Sequence, residues 1–236
     1  MTKSDSTNPS LKLSVIIPTY NESTVLSETL TRIQQHQPFE IIIGDGGSVD
    51  STVDIARHLG VSVVVSKTRG RAAQMNAAAA EAKGDLLLFL HADSYIDSSG
   101  WQAMTTAMMQ GSWLGGAFSL HIDSPKSSLK RISRWANLRS RALNLVYGDQ
   151  SIFVRREVFQ KLNGFAPLPI CEDLDFYRRL SKLGPVVLLK AKSYTSPRRW
   201  LAEGVSFTTF RNIAIASLFV IGFSPKTLSR WYPPKR

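Results

Sequence analysis

The fold is decided by residues 86–94, LLLFLHADS, where a run of five apolar residues ends at His91, Ala92 and Asp93. A short apolar run of this kind is typical of a strand that is buried on both faces of a sheet. In an open α/β sheet, ligands bind beyond the carboxyl ends of the strands, where a carboxylate can hold a metal ion bound to phosphates. The position of Asp93 therefore predicts a nucleotide site.

Three similar strand patterns precede this stretch, and a helical pattern follows each of them. The predicted strands are residues 13–18, 40–43 and 61–65, and the predicted helices are residues 23–36, a segment beginning near Asp50, and residues 70–82. Alternating strands and helices are typical of a largely parallel sheet with right-handed crossovers. We therefore predict an α/β fold with a mostly parallel central sheet flanked by helices.

The rest of the chain alternates less regularly. The further predicted helices are residues 101–110, 126–146 and 156–162, and the further strands are residues 115–120 and 151–154. Glu172, Asp173 and Asp175 begin another helix, where the helix dipole favours negative charge. We expect one domain over residues 1–204 and a helical tail over residues 205–236.

Charge is distributed unevenly along the 236 residues. The formal net charge is +11, with −4 over residues 1–125 and +15 over residues 126–236. A basic half suits a polyanion, an acidic membrane surface or a phosphorylated substrate. Nucleic acid is disfavoured among these partners because the basic half lacks zinc-knuckle spacing, an RNP-like aromatic run and a K-homology glycine loop.

The cysteine content and the first ten residues indicate the cellular compartment of the protein. The single cysteine, Cys171, excludes an intramolecular disulfide and is consistent with a reducing compartment, where it would be a buried small apolar residue. Residues 1–10 are polar and lack the apolar core of a signal peptide. We therefore expect a cytoplasmic protein, with peripheral attachment to the inner face of the cell membrane as an open alternative.

That alternative comes from the tail. Residues 213–223 form an apolar segment that is too short to cross a bilayer, since a spanning helix needs about 20 apolar residues. The basic and aromatic residues that follow are Lys226, Arg230, Trp231, Tyr232, Lys235 and Arg236. The combination is typical of an interfacial anchor on an anionic leaflet, and a core helix or dimer helix is the other interpretation.

Several short segments occur in an order that resembles one enzyme family. They are VIIPTYNE at residues 15–22, DGGSVDST at 45–52, GRAAQMN at 70–76, the strand ending at Asp93, GDQ at 148–150, ED at 172–173 and RRW at 198–200. In this order the chain resembles the family 2 glycosyltransferases, which have a GT-A fold and transfer a sugar with inversion at the anomeric carbon. The His-Ala-Asp form, in place of Asp-x-Asp, resembles a small bacterial subgroup.

The resemblance implies a nucleoside diphosphate sugar as the donor. The implied donor-contacting residues are Pro18, Tyr20, Glu22, Asp45, Arg71, Asn76 and Ala92. Asp45 would accept hydrogen bonds from the base or the ribose, and the adjacent glycines would let the backbone approach the ligand. A simple turn with a helix cap is the alternative for the Asp45 loop, and a solvated helix charge is the alternative for Arg71.

The resemblance also implies Mg²⁺ or Mn²⁺ as cofactor. Asp93 matches the last acid of the family's Asp-x-Asp motif, and His91 stands where the first acid would be. Asp93 can suffice, because Mg²⁺ commonly takes one or two carboxylates together with phosphates and waters. Direct coordination of Mn²⁺ by His91 and a purely structural histidine are both open.

The catalytic residues implied by the resemblance follow the middle of the chain. Asp173 matches the general base, which takes the proton of the acceptor hydroxyl as that hydroxyl attacks the anomeric carbon. Glu172 and Asp175 are the substitutes for this role, and a solvated helix terminus is the alternative for Asp175. Arg199 would stabilise the charge on the leaving diphosphate.

Gln150 and Trp200 are the implied acceptor or sugar contacts, with a loop role and a core position as the alternatives. The implied activity is transfer of a hexose to a hydroxyl acceptor, which can be lipid-linked or held at an anionic membrane surface. Two other functions stay open. One is a catalytically silent nucleotide-binding protein of the same fold, and the other is a basic nucleic-acid-binding protein.

Overall fold

The computed structural model describes residues 11–232. Its strands are β1 (Leu13–Thr19), β2 (Glu40–Asp45), β3 (Ser62–Val65), β4 (Leu86–Phe89), β5 (Ser94–Ile96), β6 (Gly115–Ile122), β7 (Phe153–Arg155) and β8 (Val186–Thr195). Its α-helices are α1 (Ser23–Gln34), α2 (Thr52–His58), α3 (Arg71–Glu81), α4 (Ser98–Gln110), α5 (Ser127–Leu143), α6 (Arg156–Lys161), α7 (Glu172–Leu183), α8 (Arg198–Glu203), α9 (Val205–Val220) and α10 (Pro225–Ser229). A 3₁₀ turn covers Gly148–Gln150.

The strands form one sheet in the order β3-β2-β1-β4-β7-β6-β8-β5. The four strands at the β3 end are parallel, and β7 is antiparallel to both β4 and β6. The other pairs are β6 with β8, which is parallel, and β8 with β5, which is antiparallel. The predicted α/β fold is confirmed, and the parallel arrangement applies to the first half of a sheet that is mixed as a whole.

Alternating side chains of β1 and β4 fill a separate core on each face of the sheet. Val15 and Leu88 pack on one face with the apolar stripes of α1 and α4. Ile16 and Leu87 pack on the other face with α3, α6 and α7. Because both faces are covered, β4 is apolar throughout, which is why residues 86–90 predicted this strand so directly.

Two strands were not predicted from the sequence. β5 has three residues and stands directly after the Asp93 loop. In β8 the lysines at positions 190 and 192 interrupt the apolar pattern, and the strand is held instead by pairing with β6 and β5. Short or charged strands owe their conformation to neighbouring strands, so local sequence predicts them poorly.

The last helices pack against the start of α7. Ile215 and Ala216 of α9 and Leu228 of α10 form a buried cluster with Cys171 and Leu174. Within residues 11–232, no helix has both the length and the apolar character that crossing a bilayer requires. The division of the chain at residues 204 and 205 stays a prediction.

Candidate active site

Arg198 joins two carboxylates at the carboxyl end of the sheet. Its Nε lies 2.9 Å from Oδ2 of Asp93, which follows β4. Its Nη1 and Nη2 donate to the two carboxylate oxygens of Glu22, at 2.8 and 3.0 Å. Glu22 stands before α1, so one guanidinium connects the loops that follow the first and the fourth strands.

A small cavity lies beside these charges. Arg71, His91, Gly148 and Asp173 are among the residues that line it. They come from α3, the β4 loop, the 3₁₀ turn and α7, so four distant parts of the sequence meet at one place. His91 of the β4 loop and Asp173 of α7 therefore line the same cavity.

Gly148 lets the 3₁₀ turn lie close to the side chains of Asp173 and His91. Its backbone N–H donates to Oδ2 of Asp173 at 2.5 Å. A Cβ at this position would lie 2.8 Å from Nε2 of His91 and 3.1 Å from Oδ2 of Asp173. Any larger residue would require the ends of these two side chains to shift, so glycine lets the turn lie close to both.

Asp173 and Glu172 occupy the first turn of α7, as predicted. The helix dipole stabilises their negative charge there. Oδ1 of Asp173 accepts from the backbone N–H of Leu174 at 2.7 Å, and its side chain is partly accessible. Glu172 is buried, with Oε1 3.6 Å from Nη1 of Arg71. Cys171, just before them, has a φ of 63°, a backbone strain of the kind that gathers at functional sites.

Burial raises the pKa of two acids near the cavity. Desolvation and the charge of Asp173 raise the pKa of Glu172 to about 7, although Arg71 opposes the change. Desolvation is also the largest cause for Asp149, whose pKa is raised to about 6 against the charge of Arg139. Perturbed carboxyl groups in a cleft mark candidate functional sites.

The donor atoms at the β4 loop fit a divalent ion. Desolvation, with the charges of Arg71 and Arg198, lowers the pKa of His91 well below its usual value, so its imidazole is neutral and can act as a ligand. Asp93 adds one carboxylate. Within the described residues no cluster of three or more His, Cys, Asp or Glu side chains could hold a metal ion. An ion here would take its remaining ligands from phosphate and water, as Mg²⁺ commonly does.

The Asp45 loop is held by its own hydrogen bonds. The buried carboxylate accepts from the hydroxyls of Thr19 and Ser48 and from the backbone N–H groups of Gly47 and Ser48. These four bonds fill the acceptor sites of a carboxylate. The turn that was the alternative interpretation is therefore present, and direct donor contact by Asp45 stays a prediction.

Two amide side chains of α3 also form hydrogen bonds with backbone groups of other segments. Asn76 donates to the backbone carbonyl of Phe165 at 2.8 Å and accepts from the N–H of the same residue at 2.9 Å. Gln74 is buried and donates to the carbonyl of Thr19, and a Cβ at Gly46 would collide with its amide. Gly46 thus makes room for Gln74, and the donor role of Asn76 stays a prediction.

The predicted acceptor residues lie in the interior. Gln150 is fully buried and bonds the hydroxyl of Ser140 and the carbonyl of Phe118. Trp200 packs in a buried cluster with Leu129 and others, and its Nε1 has no hydrogen-bond partner. Neither residue lines the cavity, and their acceptor roles stay predictions.

The remaining predicted residues are spread around the cleft. Arg199 stacks on Tyr232, with its guanidinium carbon 4.2 Å from the ring centroid. The Tyr20 ring lies 5.1 Å from the guanidinium carbon of Arg69. Pro18, one residue before the end of β1, lies beside Gly44 of β2, and the buried Ala92 accepts through its carbonyl from Thr29. None of these contacts tests their predicted roles.

Sequence reasoning left out three residues that the structure brings to this region, Arg198, Asp149 and Arg139. Arg198 was detectable, because it is the first residue of the RRW segment at 198–200. Asp149 was detectable in the same way from GDQ at 148–150. Arg139 had no such indication: it lies within a basic helix, and only the fold places it over the Tyr147 ring at 3.8 Å.

The arrangement of sheet and cleft is that of GT-A glycosyltransferase structures. The structure of Staphylococcus aureus TarS residues 1–349 aligns with a TM-score of 0.65 at 21% identity, covering 88% of this chain and 66% of that one. A mannosyltransferase from Pyrobaculum calidifontis in complex with GDP-Man and Mn²⁺ aligns with a TM-score of 0.61 at 20% identity, covering 78% and 56%.

The family follows from the sequence comparison. The family model described as glycosyl transferase family 2 matches residues 14–161, and the chain belongs to that family. A poly(ribitol-phosphate) beta-glucosyltransferase from Bacillus spizizenii is 30% identical over 158 residues, which is 61% of this chain and 25% of that protein. An undecaprenyl-phosphate 4-deoxy-4-formamido-L-arabinose transferase from Aeromonas hydrophila is 33% identical over 117 residues, 44% of this chain and 36% of that protein. The chain thus spans about a quarter to a third of these relatives.

Proposed function

We propose that this protein is an inverting glycosyltransferase that moves a hexose from a nucleoside diphosphate sugar to a hydroxyl acceptor, with Mg²⁺ or Mn²⁺ as cofactor. The proposal assigns catalysis to residues 1–204. The observation that carries it is the convergence at the end of β4, where Asp93 pairs with Arg198 and Asp173 lies across a narrow cavity from His91. Membership of family 2 supports the same class of chemistry.

In the proposed step, Asp173 accepts the proton of the acceptor hydroxyl. The hydroxyl oxygen forms a bond to the anomeric carbon while the bond from that carbon to the diphosphate oxygen breaks. The electron pair of the broken bond leaves on the diphosphate, and attack from the opposite face inverts the configuration. A positioned carboxylate contributes about 10²–10⁴-fold to a rate in this way.

Asp173 is preferred to Glu172 as the base on grounds of access. The Asp173 carboxylate lines the cavity, whereas Glu172 is buried beneath Arg71. The raised pKa of Glu172 would suit a base near neutral pH, so its replacement is the matched test.

Cationic groups face the place assigned to the diphosphate. Arg198 and Arg71 supply guanidinium groups that can pair with phosphate oxygens and with the charge that develops on the leaving group. Asp93, with the neutral imidazole of His91, would hold the divalent ion. When bound there, that ion would neutralise part of the diphosphate charge.

The acceptor is proposed to be held at an anionic membrane, at the inner face of the cell membrane, with the protein in the cytoplasm. The matched relatives carry names that include a lipid phosphate and a phosphate polymer. The net charge of +15 over residues 126–236 supports an anionic partner for that half. The tail over residues 205–236 is proposed to make the contact.

Donor binding is the first test. We would titrate the full chain by calorimetry with UDP and GDP, each with and without Mn²⁺, and repeat the titration with Asp93→Ala. The matched control is Asp123→Ala, an exposed carboxylate that follows β6. We expect one nucleotide to bind only with the metal, and we expect Asp93→Ala alone to lose that binding.

Transfer is tested with the sugar conjugates of the nucleotide that binds. Release of free nucleotide from one of them, stimulated by a hydroxyl acceptor, supports the enzyme. Tight nucleotide binding without any turnover would favour the silent nucleotide-binding protein. Binding of neither nucleotide, together with salt-sensitive binding of RNA or DNA, would favour the nucleic-acid-binding protein.

A further inference from the structure

Helix α9 presents large apolar side chains to solvent. Phe207 is 60% exposed, Phe210 is 75% exposed and Ile213 is 54% exposed. Their spacing of three residues places them on one face of the helix. The opposite face, with Thr208, is buried. The exposed apolar residues after the helix are Ile221, Phe223 and Trp231.

Helix α5 has a second exposed face of the same kind. Trp135 is 72% exposed and Leu138 is 57% exposed. They lie among exposed cations, which are Lys130, Arg131, Arg134 and Arg141. The other side of the helix is buried through Leu129, Ser133, Ala136 and Ser140. Exposing the large apolar ring of a tryptophan to water is unfavourable, so packing in the core does not explain the exposed position of Trp135.

The two helices are neighbours. Ile132 of α5 and Val205 at the start of α9 pack against one cluster, built from Leu120, Ile122, Leu129, Ala136 and Trp200. The two helices therefore pack on the same part of the core, and each carries an exposed apolar face.

The charge of this surface distinguishes between two candidate partners, a second copy of the chain and an anionic membrane. Neither residues 127–143 nor residues 204–236 contain an aspartate or a glutamate, while both contain several lysines and arginines. A second copy of the chain would place cations against cations, which is unfavourable. An anionic bilayer instead offers acyl chains to the apolar side chains and phosphates to the cations. Tryptophan favours the headgroup level of such a bilayer.

We propose that α5, together with α9 and α10, forms a single contact surface for an anionic membrane. This inference rests on the proposed function only in its assignment of the acceptor to the membrane. The tail packs on Cys171 and Leu174, which flank Glu172 and Asp173, so the contact surface is joined directly to the acidic turn that lines the cavity.

Vesicle flotation of the full chain tests the surface. The vesicles are pure phosphatidylcholine, or phosphatidylcholine with phosphatidylglycerol, at low and at high salt. We expect binding to the anionic vesicles only and a marked loss of binding at high salt. The double variant Trp135→Ser/Leu138→Ser is expected to bind about tenfold more weakly, as is Phe207→Ser/Phe210→Ser. Arg131→Glu/Arg134→Glu should weaken binding by a similar factor.

Matched controls come from exposed residues elsewhere. Met109→Ser removes an exposed apolar side chain from α4, and Lys182→Glu reverses an exposed charge on α7. Both should bind vesicles like the unchanged protein. Circular dichroism spectra of all variants establish that each has folded.

Three outcomes would overturn the inference. The unchanged protein could fail to bind anionic vesicles, or the α5 variants could bind as well as the controls. In the third, the apolar variants turn a dimer into a monomer in sedimentation analysis while vesicle binding stays the same, which would assign the face to a second copy. Nucleotide titration of the same samples keeps the donor site separate, because each binding event can fail without the other.

Discussion

The two halves of the molecule differ in how completely their polar groups are hydrogen-bonded. In the first half the charged loops are satisfied internally, as the four hydrogen bonds to Asp45 show. In the second half many buried side-chain atoms have no hydrogen-bond partner within the described residues. They include atoms of Arg139, Tyr147, Asp149, Glu172, Arg199, Trp200, Arg211 and Asn212.

This contrast distinguishes preformed loops from regions whose polar groups a ligand or water can complete. A buried polar group without a partner costs about 1–3 kcal/mol, so a cluster of them is tolerated where a ligand or water completes it. We infer that the loops of the first half are preorganised for one ligand, the donor. Of the second-half residues with such atoms, Asp149 and Glu172 are next to residues that line the cavity, where under the proposed function the acceptor binds.

The largest expected effect lies in the second half. Asp173→Asn should lower the transfer rate by about 10²–10⁴-fold, because the amide cannot accept the proton of the acceptor hydroxyl. Nucleotide affinity should stay within about twofold, since the donor-side loops are unchanged. Steady-state transfer kinetics and calorimetry on the same sample measure both quantities.

The matched control is Asp175→Asn on the same helical turn. Asp175 pairs with Arg179 at 2.7 Å, away from the cavity. Its replacement should leave the transfer rate within about twofold. A normal transfer rate in Asp173→Asn would show that Asp173 is not the base. Glu172 would then be the next candidate.

The next largest effect tests the internally satisfied loop of the first half. Asp45→Asn should lower the free energy of unfolding by about 2–4 kcal/mol, because a neutral amide loses the charge-assisted hydrogen bonds that two backbone N–H groups and two hydroxyls make to the buried carboxylate. Urea denaturation measures the change. Asp54→Asn, at an exposed position in the first turn of α2, should change the stability by only about 0.5 kcal/mol.

An equal loss in both variants would mean that the Asp45 loop is no more preorganised than an exposed helix. In that case the hydrogen bonds of the Asp45 loop would not distinguish the first half of the molecule from the second.

Sequence predicted the first half better than the second for a physical reason. The strands around residues 86–90 are buried on both faces, so their composition alone identifies them. The acids Asp93 and Asp173 could be found because each stands at the end of a recognisable element. The sequence alone therefore predicts the β4 loop, the Asp45 loop and the acidic start of α7.

What the sequence did not reveal depends on contacts between distant residues. Arg198 meets Glu22 across 176 positions of sequence, and no local pattern encodes that pair. Asn76 and Gln150 have polar side chains in suggestive places, yet the fold uses them to hold backbone groups. A polar residue in a motif can serve a ligand or the fold, and only its partners distinguish the two.

A smaller effect concerns pH. The pKa of Glu172 is raised from 4.5 to about 7 in the folded protein. A raised pKa means that the protonated acid favours folding, so this contribution is complete below the unfolded pKa and is lost as pH rises through about 7. Glu172→Gln cannot ionise, so its stability relative to the unchanged protein should improve by about 1–3 kcal/mol between about pH 5 and pH 8.

Urea denaturation of both proteins at each pH measures that improvement. A constant difference across the range would show that Glu172 is not held in its protonated form by burial. The same variant also tests the base assignment, since a retained transfer rate is expected if Asp173 takes the proton.

The smallest effect concerns the ion pair between the halves. A double-mutant cycle with Glu22→Gln and Arg198→Gln should give a coupling of about 1 kcal/mol, reduced by the solvent exposure of the arginine. The matched cycle is the exposed pair of Glu28 and Arg32 on α1, for which about 0.3–0.5 kcal/mol is expected.

The informative comparison is the same cycle with nucleotide and Mn²⁺ present. If Arg198 pairs with the diphosphate, as proposed, it shares its donors with that ligand and its coupling to Glu22 should fall, while the Glu28 and Arg32 pair should not change. An unchanged coupling would mean that Arg198 only ties the two loops together. The cation that pairs with the diphosphate would then have to be Arg71, which belongs to the first half. Binding of the diphosphate would in that case depend on the first half alone.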